Sequence, residues 1–409
     1  MMTSKAIEQW MLLILFIYLV IEAGCYIGLF IGESWIGSSS LQYSPVISVL
    51  SDRQKAILKR FMQNPIGSVV AYDSQLGWVT VAETNSAGMR DDQEYTEGKR
   101  PNVIRLSSFG DSFTYGSDVH LNETWQKQLS NLNPSFEVLN YGCGAYGLDQ
   151  AYLRYLRDGS TYHPNIVFIG YMSENIARNV NVYRPFYSDH YRNEIFSKPR
   201  FTVKNGELIL LRNLTSTTQD FKDFIERDKE YLSRLGETDY HYQTRYREGP
   251  FDFLPSVRFF KVAWHVLTVR LIRPIYNLSG IYEENSEAFK VTAAIFDAFY
   301  QKVLENGALP IVLIYPNPND RRRSRMNKPR SYTPLLEYFA VKGYRYIDLM
   351  TAFEPYHHQY NAEDFMVSWG HFSPLAHKIT AQYIYSYLQK EGLTDFSGIT
   401  QAIQKEGRR

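Results

Sequence analysis

Residues 103–116 read VIRLSSFGDSFTYG, a short apolar run that passes directly into a turn bounded by Gly110 and Gly116. An apolar run of this length closed by glycine has the form of a buried strand, and the turn after it presents one hydroxyl, Ser112, at the strand's carboxyl end. Downstream the same rhythm repeats. A helical pattern over 124–132 leads to FEVLNY (136–141), and one over 149–157 leads to NIVFIGYM (165–172). It resumes with an amphipathic helix over 286–305 closed by Gly307, then PIVLIYP (310–316), a helix over 334–341, YRYIDLM (344–350) and a last helix over 374–390. Five apolar strands joined by helical crossovers predict a three-layer α/β fold with a mainly parallel five-stranded sheet.

Between residues 181 and 284 the alternation breaks. Asn205-Gly206 separates two apolar runs, RFTV and ELILL, which is a strong hairpin signal. A charged helix ending at Gly236 follows, and then SVRFFKVAWHVLTVRLIRPI (256–275), in which Arg258, Lys261, Arg270 and Arg273 stand among large apolar residues. The segment reads as a cap or lid inserted in the domain. Its basic aromatic helix is read as a core helix of the insertion in preference to a helix lying on a membrane surface. Arg321-Arg322-Arg323-Ser324-Arg325 reads as a solvated loop. The implied organisation is an anchor (1–37), a neck with a short basic helix at 52–62 (38–101), two parts of one domain (102–180 and 285–391) around the insertion (181–284), and a tail (392–409).

At the N-terminus, residues 10–32 read WMLLILFIYLVIEAGCYIGLFIG and carry one charge. As a helix they extend roughly 35 Å, enough for a ~30 Å hydrocarbon layer. Trp10 and Trp35 bracket the run, and Lys5 precedes it with no other basic residue until Arg53, so a single pass with the remainder extracytoplasmic is expected. A cleaved signal peptide is the lesser reading, because no clean small-x-small site follows. Ala23-Gly24-Cys25 imitates a lipoprotein signal, but Glu22 occupies the place that wants Leu. A carboxylate at mid-span is costly, so Glu22 is expected to face a partner helix or to be protonated.

Composition narrows the function classes. Lys+Arg of 44 against Asp+Glu of 43 gives a net charge of +1, which removes the basic excess expected of a nucleic-acid binder. Aromatics make up 15% of the chain, which favours a folded chain with aromatic packing. Two cysteines, Cys25 and Cys143, cannot supply a disulfide framework or a zinc site, and Cys143 reads as a packed thiol. His241 and His357-His358 have no metal-ligand spacing, and the 110–116 turn lacks the lysine of a phosphate loop. Neither a metal nor a cofactor is expected.

In an open parallel sheet, ligands bind beyond the carboxyl ends of the strands. Ser112 lies at such an end, and His371, in Trp369-Gly370-His371-Phe372-Ser373-Pro374, sits just before the last helix, where a base for a serine nucleophile could be held. GDSFTYG (110–116), NYGCGAYGLDQ (140–150), GYMSEN (170–175) and GHFSP (370–374) resemble, in order and placement, the four blocks of the SGNH/GDSL hydrolase superfamily. The similarity covers about Asp73 to Glu391, including LGW (76–78) and AGMR (87–90), and looks like the membrane-anchored bacterial members.

That resemblance implies Ser112 as nucleophile, His371 as base, and an oxyanion hole from the Ser112 and Ala145 N–H groups and the Asn175 amide. The sequence departs from the pattern in three places. Ala145 stands where the family has Gly, Asn175 lies farther from Gly170 than in Gly-x-Asn-Asp, and Ser368 replaces the Asp that normally precedes the His. Asp364 is the candidate acid, with Glu363, a backbone carbonyl or a Ser–His dyad as alternatives. The expected function is hydrolysis of acyl esters, chiefly acetyl, on cell-envelope or exported carbohydrate. An O-acyltransferase using the same residues, and a non-catalytic envelope scaffold, are the competing readings.

Overall fold

The computed structural model describes residues 4–35, 50–64, 69–98, 100–187, 195–245, 249–266, 281–356, 358–361, 363–367 and 370–408. Arg270, Arg273, His357, Ser368 and Trp369 lie outside them.

The five expected strands form one parallel sheet. After a hairpin of β1 (Val70–Asp73) and β2 (Gly77–Thr80) come β3 (Ile104–Gly110), β4 (Phe136–Gly142) and β5 (Ile166–Met172). A second hairpin, β6 (Arg200–Lys204) and β7 (Glu207–Leu211), precedes β8 (Leu309–Tyr315) and β9 (Tyr346–Asp348). The sheet order is β4-β3-β5-β8-β9, so the chain reverses direction across the sheet at β3, and the switch point falls between β3 and β5. This is the flavodoxin-like order.

Both faces of the sheet are buried, which is why β5 and β8 are continuous apolar runs and why the polar residues of β3 and β4 are buried as well, Arg105 pairing with Glu137 at 2.8 Å. Phe109, Val167, Ile169, Tyr171, Val312 and Ile314 point to one side, against the helices Leu148–Asp158, Glu287–Glu305 and Thr333–Lys342. Leu106, Val138, Phe168, Ile311, Leu313 and Ile347 point to the other, against Trp125–Leu132, Pro374–Lys390 and Phe396–Glu406. The last of these is a helix where a tail was expected; Ile399 and Ala402 are buried, and Glu406 pairs with Arg345 at 3.0 Å.

The described part of the expected neck is packed into the domain. Trp78 donates its indole N–H to the Gly144 carbonyl (2.9 Å), and Tyr146 returns a hydroxyl to the Trp78 carbonyl (2.6 Å). The insertion opens with the expected hairpin. Lys204 pairs with Glu207, and Asn205 and Gly206 both take positive φ, 52° and 83°, as a tight two-residue turn requires. The hairpin packs on the helix Glu287–Glu305 through Phe201, Val203 and Leu208, whereas Tyr183, Phe186, Phe221, Phe224, Leu232 and Leu235 make a separate apolar cluster with Trp78 and Tyr146. A buried ion pair, Lys198 with Asp149, ties the insertion to the helix Leu148–Asp158.

One helix of the insertion departs from expectation. Pro255–Val266 packs along the N-terminal helix Ser4–Trp35, and of its described residues only Val262 is fully buried. The core-helix reading is therefore corrected for this segment. Glu22 has its partner within the chain: its carboxylate accepts from the Ser256 N–H (2.9 Å) and hydroxyl (2.6 Å).

Candidate active site

Gly110 and Gly142, which end β3 and β4, and Gly170, two residues before the end of β5, make the seat for the turn carrying Ser112. A Cβ at Gly110 or at Gly170 would lie 2.1 Å from Thr114 Oγ1, and one at Gly142 would lie 2.2 Å from the Tyr115 nitrogen. Only bare backbone lets the short helix Ser112–Tyr115 sit directly on three strand ends. Asp111 caps it by accepting from the Phe113 N–H at 2.9 Å, and Gly116, at φ 82°, closes it. Asn140 braces the same turn by donating to the Tyr115 carbonyl (3.1 Å).

Ser112 and His371 meet across the fold. Ser112 Oγ lies 3.0 Å from His371 Nε2, and His371 Nδ1 lies 2.6 Å from Asp118 Oδ2. A carboxylate can only accept, so Nδ1 carries the hydrogen, and Nε2 is left to accept from the serine hydroxyl. The His371 loop is fixed on both sides. The His371 carbonyl accepts from Val367 N–H (2.9 Å), Met366 bridges to Phe372, and Ser373 caps the helix Pro374–Lys390. Phe113 sets its ring edge-to-face with the imidazole at 5.6 Å.

The acid partner corrects the sequence reading. Asp364 does not reach His371; its carboxylate accepts from the Asn361 N–H (2.7 Å), and its carbonyl accepts from the Ser373 hydroxyl (2.6 Å). Asp118 takes the place instead, from the loop that follows the nucleophile's own turn. The signal for it was local: an Asp just past Gly116 is one of the few side chains that tolerate the left-handed conformation, and Asp118 has φ 66°. Arg90, the last residue of AGMR, holds this loop by donating to the carbonyls of Tyr115 (2.9 Å), Gly116 and Val119 (2.7 Å), while Glu83 pairs with it from outside.

Of the remaining residues from the resemblance, Asn175 lies near the residue that caps the serine's helix. Ala145 lies in the turn after β4 with φ 62°, the conformation that would favour the family's glycine, and Arg184 donates to its carbonyl. The buried Asn175 amide lies close to the Asp111 carboxyl, but neither its oxygen nor its nitrogen reaches hydrogen-bond geometry with any described residue. Asp111 is fully buried, which pushes its carboxyl up, against the opposing pull of Arg178, the Phe113 N–H and Asn175. Burial would also raise Glu174, yet Arg178 and the Tyr187 hydroxyl outweigh it and hold that carboxyl below its ordinary value.

Two other groups are structural. Cys143 is fully buried, within 3.2 Å of the Thr80 hydroxyl, and burial pushes its thiol up, away from the reactive thiolate. His377, one helical turn beyond the His371 loop, accepts the Trp125 N–H at 3.2 Å. Burial, with Arg90 and His371 nearby, lowers it to about 3, so it stays neutral. Among the described residues no group of three His, Cys, Asp or Glu side chains could hold a metal ion.

Searched by sequence, the chain matches no family model and no curated protein. Among solved structures it is similar to a putative lipolytic protein of the G-D-S-L family from Desulfitobacterium hafniense, at 14% identity and a TM-score of 0.33, covering 69% of this chain and 98% of that one. An α/β hydrolase from the metagenome of Lake Arreo matches at 12% identity and 0.36, covering 71% and 96%. A catalytic mutant of an acetylxylan esterase from Geobacillus stearothermophilus matches at 12% and 0.33, covering 70% and 93%. These likenesses are loose; the fold is established by the strand order, and the site by its own distances.

Proposed function

We propose that this chain is a membrane-anchored serine hydrolase of the SGNH/GDSL type that cleaves carboxylic esters through an acyl-enzyme. The observation that carries the reading is the continuous hydrogen-bonded chain from Ser112 Oγ through His371 to Asp118. A lone serine is a weak nucleophile, and this arrangement supplies both a base and a group that orients the base and stabilises its cation.

In this reading Ser112 Oγ attacks the ester carbonyl while His371 Nε2 takes its proton. The carbonyl oxygen becomes an oxyanion and is received by the Ser112 N–H, the Ala145 N–H and the Asn175 amide. Two features support that role: Ser112 opens a helix, whose first N–H groups have no partner within it, and the Asn175 amide is buried without one among the described residues. Each such donor is typically worth ~10²–10³ in rate. Collapse expels the alcohol, which takes the proton from His371. Water then repeats the attack with His371 again as base, releasing the acid and restoring Ser112.

The Ala145 methyl stands where glycine would leave room, which supports a small acyl group such as acetyl. The helix Ser4–Trp35 contains a run, Lys5–Ile31, long and apolar enough to cross a membrane, and no part of its most apolar window is buried in protein. That supports a membrane anchor; the packing of Pro255–Val266 along it favours an uncleaved one, and Lys5 ahead of it favours the domain on the outer side, with an envelope or exported carbohydrate ester as substrate. Asp118 also removes one of the two motives for a non-catalytic scaffold, Ser368 in place of the family's acid; the other, Ala145, keeps the backbone N–H that the oxyanion needs.

The test is turnover of acetylated sugars by the full chain in detergent, with and without a glycan acceptor, beside Ser112→Ala. Free acetate released by wild type alone, undiminished by acceptor, is expected. Acetyl transfer to the glycan at the expense of acetate would replace hydrolysis by acyl transfer, and equal rates for wild type and Ser112→Ala would overturn the reading.

A further inference from the structure

From Ile7 to Ile31 the N-terminal helix is exposed except at Glu22, Cys25, Gly28 and Leu29, which fall on one side of it. That side is covered by the helix Pro255–Val266. Ser256 meets Glu22 as described above, and Phe259 closes on Gly28, where a Cβ would come within 2.9 Å of the phenylalanine ring. Glu22 is the one charge in the apolar run, and its two hydrogen-bond donors come from the start of this second helix. The pairing gives the carboxylate partners at a depth where water could not serve it.

The rest of this second segment, beyond its contact with the anchor, is the unusual part. Phe251, Phe253, Phe260 and Trp264 are 62%, 71%, 65% and 65% exposed, and Ala263 between the last two is exposed as well. Large aromatics this open in one short segment form a surface suited to an apolar neighbour. Charges of the segment are bonded within it: Lys261 pairs with Asp252 at 2.5 and 2.7 Å, and Arg258 donates to the Asp252 carbonyl. Its non-helical entry is also satisfied internally, through Asp252 N–H to Gly249 O (3.1 Å) and Leu254 N–H to Phe251 O (3.0 Å).

Resting on the reading of Ser4–Trp35 as a membrane anchor, we infer that residues 249–266 are a second membrane element, lying in the lipid beside the anchor with Phe251, Phe253, Phe260 and Trp264 among the acyl chains. The lipid is chosen as occupant because this surface is continuous with the lipid-facing side of the anchor and exposes no unneutralised acid. A consequence is that the insertion is tied to the bilayer, so the domain is held at the membrane face and does not swing on a free tether.

The test places a photoreactive benzoylphenylalanine at Phe260 or Trp264 in the full chain, reconstituted in phosphatidylethanolamine–phosphatidylglycerol vesicles, with adducts read by mass spectrometry. Ile17 in the anchor and Val341, 87% exposed on the domain, are the reference positions. Lipid adducts at 260 and 264 comparable to those at 17, and absent at 341, are expected. Lipid adducts at 17 with none at 260 and 264 would overturn the inference and leave the anchor standing. Adducts to a second copy of the chain at 260 and 264 would overturn it in favour of a self-association face. No lipid adduct at 17 would overturn the anchor reading itself.

Discussion

At the scale of single residues, the account turns on which carboxylate serves His371. Asp118→Asn keeps the shape but lets the side chain donate, which favours the wrong imidazole tautomer, so kcat is expected to fall by ~10²–10⁴ with KM little changed. Asp364→Ala, which removes only a contact to Asn361, is expected to leave kcat within a few-fold of wild type. Steady-state kinetics on one acetyl ester compares the two, and the opposite ranking would restore Asp364. Ala145 makes a second case. A residue with a Cβ in the left-handed region costs ~1–2 kcal/mol, so Ala145→Gly is expected to raise Tm while admitting longer acyl groups. The measurements are a melt and the butyrate-to-acetate ratio of kcat/KM. Ser112 and His371 were legible in the sequence because each sits at a strand or helix boundary with its own glycine. Asp118 was not, because the family pattern sets its acid three residues before the histidine, whereas this acid reaches it from the distant loop after Gly116.

At the scale of elements, four strands and the crossover helices could be read to within a residue or so, since a parallel sheet buried on both faces favours largely apolar runs; the last strand, read over 344–350, is only Tyr346–Asp348, because Asp348 caps a helix that starts at Leu349. The Asn205-Gly206 hairpin was legible for an equally local reason. What could not be read was how elements lacking a periodic partner would pack: the β1–β2 hairpin, the helix Phe396–Glu406, and Pro255–Val266 against the anchor. Charges inside the insertion's base were likewise invisible. Lys198 and Asp149 are both fully buried, and desolvation together with neighbouring Arg184 and Arg200 lowers the lysine to about 8 in spite of Asp149. Removing one partner strands the other, so Lys198→Met is expected to cost ~3–5 kcal/mol. Lys198→Met with Asp149→Leu is expected to recover much of that loss in denaturant melts. Additive losses would show that the pair does not couple the insertion to the helix beneath it.

At the scale of the whole molecule, two long-range closures join the ends of the domain: His371 to Ser112 and Asp118, and His377 to the Trp125 N–H. The second imposes a pH dependence on folding. His377 is neutral in the fold down to about 3, whereas in the unfolded chain it takes up a proton below its ordinary value of 6.5. Its contribution to stability is therefore complete above pH 6.5 and is lost progressively as pH falls toward 3, by at most ~1.4 kcal/mol per pH unit. His377→Gln, which keeps an acceptor for Trp125, is expected to flatten the stability curve in that window, and an unchanged slope would assign the acid sensitivity elsewhere. The central claim is that the fold brings Ser112, His371 and Asp118 together as an acyl-transfer centre. Its most direct measurement is covalent labelling of the folded full chain by a fluorophosphonate, comparing wild type with Ser112→Ala and His371→Ala. Labelling of wild type at Ser112, abolished in the first variant and strongly slowed in the second, is the expected result; a folded wild type that reacts no faster than Ser112→Ala would contradict it.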